Sequence, residues 1–321
     1  MKKQLIKVKD TIKKELPKTK KGKILGIILG IGLPTLLGVA AGIVIGKFMI
    51  NPTTDYGTVN ESEITDNTFS KTLEKYAYAK ENEDVNYEDV LKPYEMINIA
   101  YHLYGEYEHT RSWTKGEVLA AIVTQSIRGC AIRDGNQYFE ESLSKSSMVG
   151  VATRTYVKED TSVDLYRGDI QSELKANWPD EHYEYTNEEY VNDFGKTPET
   201  PLIYIVSKKT VIANNSSVTK DGNNYIVKVS LDPVKSVLKY VRQMKTISNL
   251  YEYPSFTSVD LTATLDQNLL IKTLEVKESY SAKINAIIGS SSDASLTITY
   301  EVGGDYKIPQ YNEDLIYPEG F

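Results

Sequence analysis

The chain contains 321 residues, of which 40% are apolar, and it carries a net charge of −7 with a single cysteine, Cys130. This length supports a substantial hydrophobic core, and one cysteine excludes a disulfide-stapled module because no internal disulfide can form. Residues 1–23 carry a charge of +8 and the remaining chain −15, which argues against nucleic acid as a partner of the larger part.

An apolar segment, residues 24–50, follows the basic leader and has no charged residue before Lys47. A helix from Ile24 to Gly46 would extend about 35 Å at 1.5 Å per residue, which is enough to cross the hydrocarbon core of a bilayer. Basic flanks remain on the cytoplasmic side of a membrane. We therefore predict a cytoplasmic leader at 1–23, a signal anchor embedded in the lipid bilayer at 24–50, and an extracellular remainder of a single-pass cell-membrane protein.

A cleaved signal peptide is the alternative to an anchor, since Val39-Ala40-Ala41 is a passable cleavage site. The apolar character continues through Phe48, well past the usual length of a signal-peptide core, and this favours the uncleaved anchor. A domain that lies outside the cell without disulfides suits a bacterial envelope better than a eukaryotic secretory route.

Glycines recur every four residues through the predicted membrane helix. Small residues at this spacing allow two helix backbones to approach closely in lipid. Glycine is also simply common in membrane helices, but the regular register favours packing against a second copy of the chain or another membrane protein. The predicted packing residues are Gly26, Gly30, Gly38, Gly42 and Gly46.

The part beyond the anchor divides into a tether and a domain. Residues 51–67 are polar and are predicted to form an extended extracellular tether, followed by an extracytoplasmic β-rich domain at 68–321. Apolar spacing predicts helices over 68–80 and 89–104. From Thr110 onward the apolar period changes to two, which indicates strands.

Two Asp-Gly pairs mark hairpin turns in the middle of the domain. Asp134-Gly135 precedes a predicted strand at 137–143. Asp221-Gly222 is predicted to join strands at 202–212 and 225–231.

Helix starts are marked by capping residues. Thr186-x-x-Glu189 predicts a capping box that opens a short helix. Asp232-Pro233 combines a good N-cap residue with proline at the first helical position. The helix that follows has one apolar face, made of Val234, Val237, Leu238, Val241 and Met244.

The last eighty residues alternate between apolar and polar positions, which predicts an antiparallel meander. Its predicted strands cover residues 259–265, 272–276, 284–288 and 296–302.

In this part of the chain, a strand leads into Asp232-Pro233 and a one-faced helix. Pro254-Ser255-Phe256 then precedes two long strands around Asp266. This order resembles the half-barrel of LolA/LppX-type envelope lipoprotein carriers. The resemblance implies an α+β fold, an antiparallel β-meander half-barrel with covering helices, here preceded by one N-terminal transmembrane helix. It also implies that acyl chains lie between sheet and helices. A membrane anchor departs from that family and does not suit a shuttling role.

A sheet covered by one-faced helices can leave an apolar groove, and such a groove is the default ligand site where no catalytic constellation occurs. We predict a non-enzymatic binding protein with a lipid or another amphiphile as its ligand. Two alternatives stay open: these residues fill an ordinary core, or the domain is an interaction module of an envelope complex. The candidate ligand-binding residues are Val259, Leu261, Ala263, Leu265, Leu296, Ile298 and Tyr300.

No motif predicts an enzyme, a cofactor or a metal site. His102, His109 and His182 show no tight ligand spacing, and Cys130 has no cysteine neighbour. Ser142-x-x-Lys145 has the spacing of a penicillin-binding nucleophile, but the sequence contains no K-T-G or S-D-N triplet to accompany it.

Overall fold

A computed structural model describes residues 54–65, 68–120, 123–146, 150–170, 174–194, 197–200, 202–241, 244, 251–283 and 289–321. The predicted leader, the anchor and its five packing glycines lie outside these residues. Within the described part, no helix is both long enough and apolar enough to cross a membrane.

The described residues contain twelve strands that form one antiparallel sheet in the order β6-β5-β4-β3-β2-β1-β12-β11-β10-β9-β8, with β7 paired to β5. The end strands β6 and β8 are not paired with each other, so the described sheet is open, and this confirms the antiparallel architecture expected for a half-barrel. The strands are β1 His109–Ala120, β2 Val123–Asp134, β3 Gln137–Ser146, β4 Gly150–Val157, β5 Val163–Ile170, β6 Ala176–Asn177, β7 His182–Tyr185, β8 Ser217–Asp221, β9 Asn224–Ser230, β10 Ser255–Leu265, β11 Ile271–Lys283 and β12 Gly289–Val302.

Side chains alternate between the two faces of this sheet because successive residues of a strand point in opposite directions. The inner face carries the main core, which includes Val227, Leu261 and Leu274. The outer face carries a second, smaller cluster made of Trp113, Cys130, Ile132 and Phe139. The chain after β12 covers this second cluster with Tyr306, Ile308, Leu315, Tyr317 and Phe321.

Five α-helices have both ends among the described residues: α1 Glu61–Ile64, α2 Phe69–Glu81, α3 Tyr87–Val90, α4 Pro93–Gly105 and α5 Asn187–Phe194. Helix α4 contacts β9 and β11 on the inner face. Its buried side chains Met96, Ile97 and Ile99 belong to the main core. Helix α2 matches the helix predicted over 68–80.

The helix predicted over 89–104 is confirmed as α4 from Pro93 onward, but its predicted start is wrong, because a break separates α3 from α4. Pro93 has no backbone N–H to donate and disfavours a helical conformation at the residue before it. Lys92 is accordingly extended, with ψ 159°. Its backbone N–H donates to Oε2 of Glu95 at 2.8 Å, which satisfies a donor at the start of α4.

The local turn and cap predictions are confirmed where the structure describes them. The β2–β3 hairpin turns at Gly135, whose φ of +59° is readily adopted only by a residue without a Cβ. Thr186 and Glu189 form the reciprocal capping box: the Thr186 backbone N–H donates to Oε2 at 2.9 Å, and the Glu189 N–H donates to Oγ1 at 3.2 Å.

The strand predicted over 202–212 is wrong. In this segment only Val211 forms an isolated bridge, to Leu231, and the hairpin partner of β9 is β8. Ser207 Oγ donates to the carbonyl of Ile64 at 2.5 Å, and Thr210 Oγ1 donates to the carbonyl of Ile205 at 2.7 Å. Side-chain hydroxyls thus satisfy backbone groups that a neighbouring strand would otherwise bind.

The extended tether predicted for residues 51–67 is corrected for the described residues 54–65. They contain a short 3₁₀ turn and α1, and they are folded against the domain. Tyr56 is buried and its hydroxyl donates to the carbonyl of Pro254 at 2.6 Å. The boundary between tether and β-rich domain at residue 68 stays a prediction.

Asp232 caps the chain as predicted, but residues 233–237 form turns and the helix begins only at Leu238. Oδ1 of Asp232 accepts hydrogen bonds from the N–H groups of Val234 and Lys235 at 2.9 and 3.0 Å. Residues 238–241 and 244 are helical. The predicted apolar face is confirmed at its buried positions Val237, Leu238, Val241 and Met244. The strand predicted over 284–288 lies outside the described residues.

Candidate ligand-binding cavity

A cavity of about 190 Å³ lies on the inner face of the sheet. Its floor consists mainly of inward-facing residues of β1–β4, β11 and β12. Its cover consists of the end of α4, Tyr190 of α5, and residues 199, 200 and 202–204. Residues 202–204 belong to the segment that does not form a strand.

One wall of the cavity is apolar. Leu296 and Ile298 of β12 lie beside Val276 and Leu274 of β11, because the register pairs Val276 with Leu296 and Leu274 with Ile298. Paired residues of antiparallel strands point to the same face. The four side chains therefore form a continuous aliphatic surface.

The structure separates the seven candidate ligand-binding residues into two groups. Leu296, Ile298 and Tyr300 line the cavity. The other four are packed into the main core and are not among the lining residues: Val259, Leu261, Ala263 and Leu265. Their burial follows from their position on β10, which lies between β9 and β11 in the sheet.

A second wall of the cavity, next to the apolar one, carries hydroxyl groups. Thr110, Ser112 and Thr114 alternate along β1, and Thr153 and Thr155 do so along β4. Alternation places all of them on the inner face. Sequence reasoning missed this wall, although a Thr-x-Ser-x-Thr period within a strand is the signal that identifies it.

Tyrosines complete the polar wall and extend over the cover. The hydroxyls of Tyr101 and Tyr300 are 2.8 Å apart. Burial raises the pKa of Tyr104 to about 12, and burial likewise raises the pKa of Tyr190 above its ordinary value. These phenols are therefore neutral at physiological pH and offer hydrogen bonds without charge.

The charged side chains of the cavity lining are few. Glu140 and Glu199 line it together with Arg133, whose Nη1 donates to the carbonyl of Gly105 at 3.3 Å. Ser142 also lines the cavity, but Lys145 is three residues further along β3 and so points to the opposite face. The serine and this lysine therefore cannot act together as nucleophile and base.

The cover is fastened to the sheet through a buried carboxylate. Glu278 of β11 accepts hydrogen bonds from the hydroxyls of Tyr204 and Tyr240, the latter at 3.1 Å. Tyr204 belongs to the cover, whereas Tyr240 belongs to the helical residues 238–241. Burial raises the pKa of Glu278 to about 7, and the two tyrosine hydrogen bonds offset only part of that rise.

No protein-family model matches the chain, and no curated protein sequence matches it. Among solved structures it is similar to the lipoprotein LppX of Mycobacterium tuberculosis, at 8% identity over 70% of this chain and 97% of that one, with a TM-score of 0.24. It is also similar to a DUF1329 family protein from Desulfovibrio piger ATCC 29098, at 8% identity over 67% and 93%, with a TM-score of 0.23. The weak resemblance to LppX-type proteins is thus confirmed, but at these TM-scores it carries no argument about function.

Proposed function

We propose that this protein is a membrane-anchored, extracytoplasmic binding protein of the bacterial cell envelope. Its domain holds part of a lipid or another amphiphile and does not catalyse a reaction on it. The observation that carries the proposal is the mixed lining of the cavity. An aliphatic wall on β11 and β12 adjoins neutral hydroxyls on β1 and β4, which matches a molecule with an apolar and a polar end.

The size of the cavity limits what enters it. At about 190 Å³ it is smaller than the roughly 300–1,000 Å³ typical of ligand pockets. It therefore holds a short acyl segment or one end of a larger amphiphile. A longer acyl chain requires the cover at residues 199, 200 and 202–204 to move away from the sheet.

The anchor supports the same proposal from the sequence. The basic leader and the apolar run at 24–50 would keep the domain next to the outer surface of the membrane, where amphiphiles are concentrated. The test is protease treatment of intact cells that express the chain with an N-terminal tag. We expect loss of the domain and a small tagged fragment; a mature protein that starts near Gly42 would exclude the anchor.

Ligand capture is tested in cells that are fed a fatty acid carrying a photoreactive diazirine and an alkyne. After irradiation, crosslinked peptides of the full chain are located by mass spectrometry. We expect crosslinks in β12, and we expect Ile298→Trp, which fills the apolar wall, to reduce them at least fivefold.

The matched control is Leu119→Trp, at a side chain that is 47% exposed on the outer face of β1. This variant should leave the β12 crosslinks unchanged. Crosslinks confined to residues 24–50 would show lipid contact of the anchor only and would refute the cavity as a lipid site.

The glycine spacing supports a second proposed role, in which the chain is a scaffold subunit of an envelope membrane complex. Replacement of Gly38, Gly42 and Gly46 by Leu should weaken self-association or partner association in a membrane reporter assay while insertion is retained. An unchanged association signal would refute this second role.

A further inference from the structure

A compact group of metal-type ligands lies on the outer face of the sheet, on the side opposite to the cavity. Asp164 of β5 is paired with Glu184 of β7, and Tyr166 is paired with His182. Because paired and alternate residues share a face, Asp164, His182 and Glu184 all point outward. One ligand atom from each of these side chains lies within 4.8 Å of the other two.

The imidazole of His182 is held in the orientation and tautomer that a metal ligand requires. Its Nδ1 lies 3.2 Å from the carbonyl oxygen of Asp180. A carbonyl oxygen only accepts, so Nδ1 is the donor, and in the neutral ring the lone pair is on Nε2. Nε2 lies 3.4 Å from Oε1 of Glu184 and 4.0 Å from Oδ2 of Asp164. Stacking on Tyr166, with ring centroids 4.7 Å apart, fixes the ring plane.

Asp164 provides a second, independent indication. Its side chain is only 9% exposed, and among the described residues its Oδ1 has no hydrogen-bond partner. A buried carboxylate oxygen without a partner is costly. The other oxygen, Oδ2, lies 2.8 Å from Nζ of Lys158, whose side chain is 49% exposed.

We propose that Asp164, His182 and Glu184 form a binding site for a divalent transition-metal ion such as Zn²⁺ or Mn²⁺. One imidazole nitrogen and two carboxylate oxygens are donors that suit these ions. Zinc with ligands at about 2.1 Å in tetrahedral geometry separates ligand atoms by about 3.4 Å, which equals the distance from His182 to Glu184. Oδ2 of Asp164, at 4.0 Å from Nε2 of His182, would have to move closer to complete the ligand set.

Three protein ligands leave at least one coordination position open, as in zinc sites that bind an external ligand. A cleft lined by Tyr156, Asp164, Tyr166 and Tyr311 adjoins the site. The two carboxylates that neighbour His182 in sequence, at positions 180 and 181, are not members of this group. Asp180 instead accepts a hydrogen bond from the hydroxyl of Tyr311.

Lys158 distinguishes a metal site from a structural ion pair. Its ammonium group lies 2.8 Å from Oδ2 of Asp164 and so competes with any cation for that carboxylate. Lys158→Met should therefore raise metal affinity at least threefold, because a competing positive charge is removed. In a purely structural ion pair, the same change would leave an unpaired buried carboxylate and would create no metal affinity.

The experiment uses the full chain in detergent, stripped of metal with a chelator and titrated calorimetrically with ZnCl₂ and MnCl₂. We expect one ion per chain. His182→Ala and Asp164→Asn should each weaken binding at least 10-fold, and Glu184→Gln should weaken it less because this side chain is 77% exposed. Ca²⁺, which prefers oxygen ligands, should bind at least 10-fold more weakly than Zn²⁺.

The matched control is His109→Ala. His109 Nδ1 lies 2.9 Å from Oδ1 of Asp134, and in the described part of the chain this pair belongs to no group of three ligands. Zinc affinity should be unchanged in this variant. The proposal is overturned if the wild-type chain binds no ion at 1 mM, if His182→Ala retains full affinity, or if His109→Ala weakens binding equally. Circular dichroism of each variant establishes that the fold is retained. If Asp164→Asn does not fold, His182→Ala still tests the site, because His182 is only half-buried.

Discussion

The guanidinium of Arg154 binds the carboxylate of Glu141 through two nitrogens, with Nε and Nη2 each 2.7 Å from Oε2. The two side chains are 1% and 3% exposed. The third nitrogen, Nη1, donates to the carbonyls of Gln310 and Tyr311, and the hydroxyl of Tyr317 donates to Oε1 of Glu141 at 2.7 Å. This pair on β3 and β4 therefore fastens the chain after β12 to the outer face of the sheet.

Arg154→Met should destabilise the protein by about 3–5 kcal/mol, because it leaves the Glu141 carboxylate buried without its charge partner. Urea unfolding followed by circular dichroism measures the loss. The control is Arg111→Met: Arg111 pairs with Glu301, but both side chains are about one-third exposed, so this change should cost no more than about 1 kcal/mol. Equal losses of unfolding free energy in the two variants would contradict the prediction that the buried Arg154–Glu141 pair matters more than the exposed one.

Stability should fall as the pH rises from 5 to 8, because of Glu278. Its native pKa of about 7 lies above that of an ordinary glutamate, so the native state holds this proton more tightly than the unfolded chain. The stabilising contribution is fully present below about pH 4.5 and is lost as the pH rises through about 7, by up to about 3 kcal/mol. The Glu278→Gln variant should lack this part of the pH dependence, and parallel curves for the two proteins would refute the prediction.

Cys130 should be unreactive in the native protein. Burial raises the pKa of its thiol, and the nearby carboxylate of Glu141 adds to the rise. The nucleophilic thiolate is therefore scarce, and its Sγ lies under the covering chain. Because the chain has one cysteine, reaction with Ellman's reagent reports this site alone. We expect one thiol per chain in urea and at least a 100-fold slower reaction without urea; rapid native reaction would mean that the cover opens.

Gly116→Ala should destabilise the sheet by about 1–3 kcal/mol. A Cβ at this position on β1 would lie 2.4 Å from the carbonyl oxygen of Ser295 and 3.0 Å from Cα of Leu296, so the backbone of β12 would have to move. Thermal unfolding measures the effect. Gly105→Ala, where no atom lies within 4 Å of the added Cβ, is the control and should change stability by less than about 1 kcal/mol.

Predictions that rest on a few adjacent residues agree with the structure. The turn at Gly135, the capping box of Thr186 and Glu189, and the Asp232 cap all depend on hydrogen bonds and dihedral angles within four residues. The break before α4 is equally local, and Pro93 would have sufficed to predict it, but the apolar spacing led to one continuous helix being predicted across it. The strand predicted over 202–212 is wrong for another reason. Its apolar pattern reflects burial in the core, and Ser207 of this segment donates to the carbonyl of Ile64, which is distant in sequence.

The sequence by itself determined the alternation of faces along β10, β11 and β12, the apolar face after Asp232, and the expectation of an anchor, because periodicity and length are properties of a continuous segment. Only the tertiary structure decided which strands are neighbours. It placed β1 beside β12 and so brought Ser112 opposite Tyr300 in the cavity, and it paired β5 with β7 to join Asp164 to Glu184. Such contacts depend on the burial of whole faces and on register across many residues, and no local pattern of side chains encodes them.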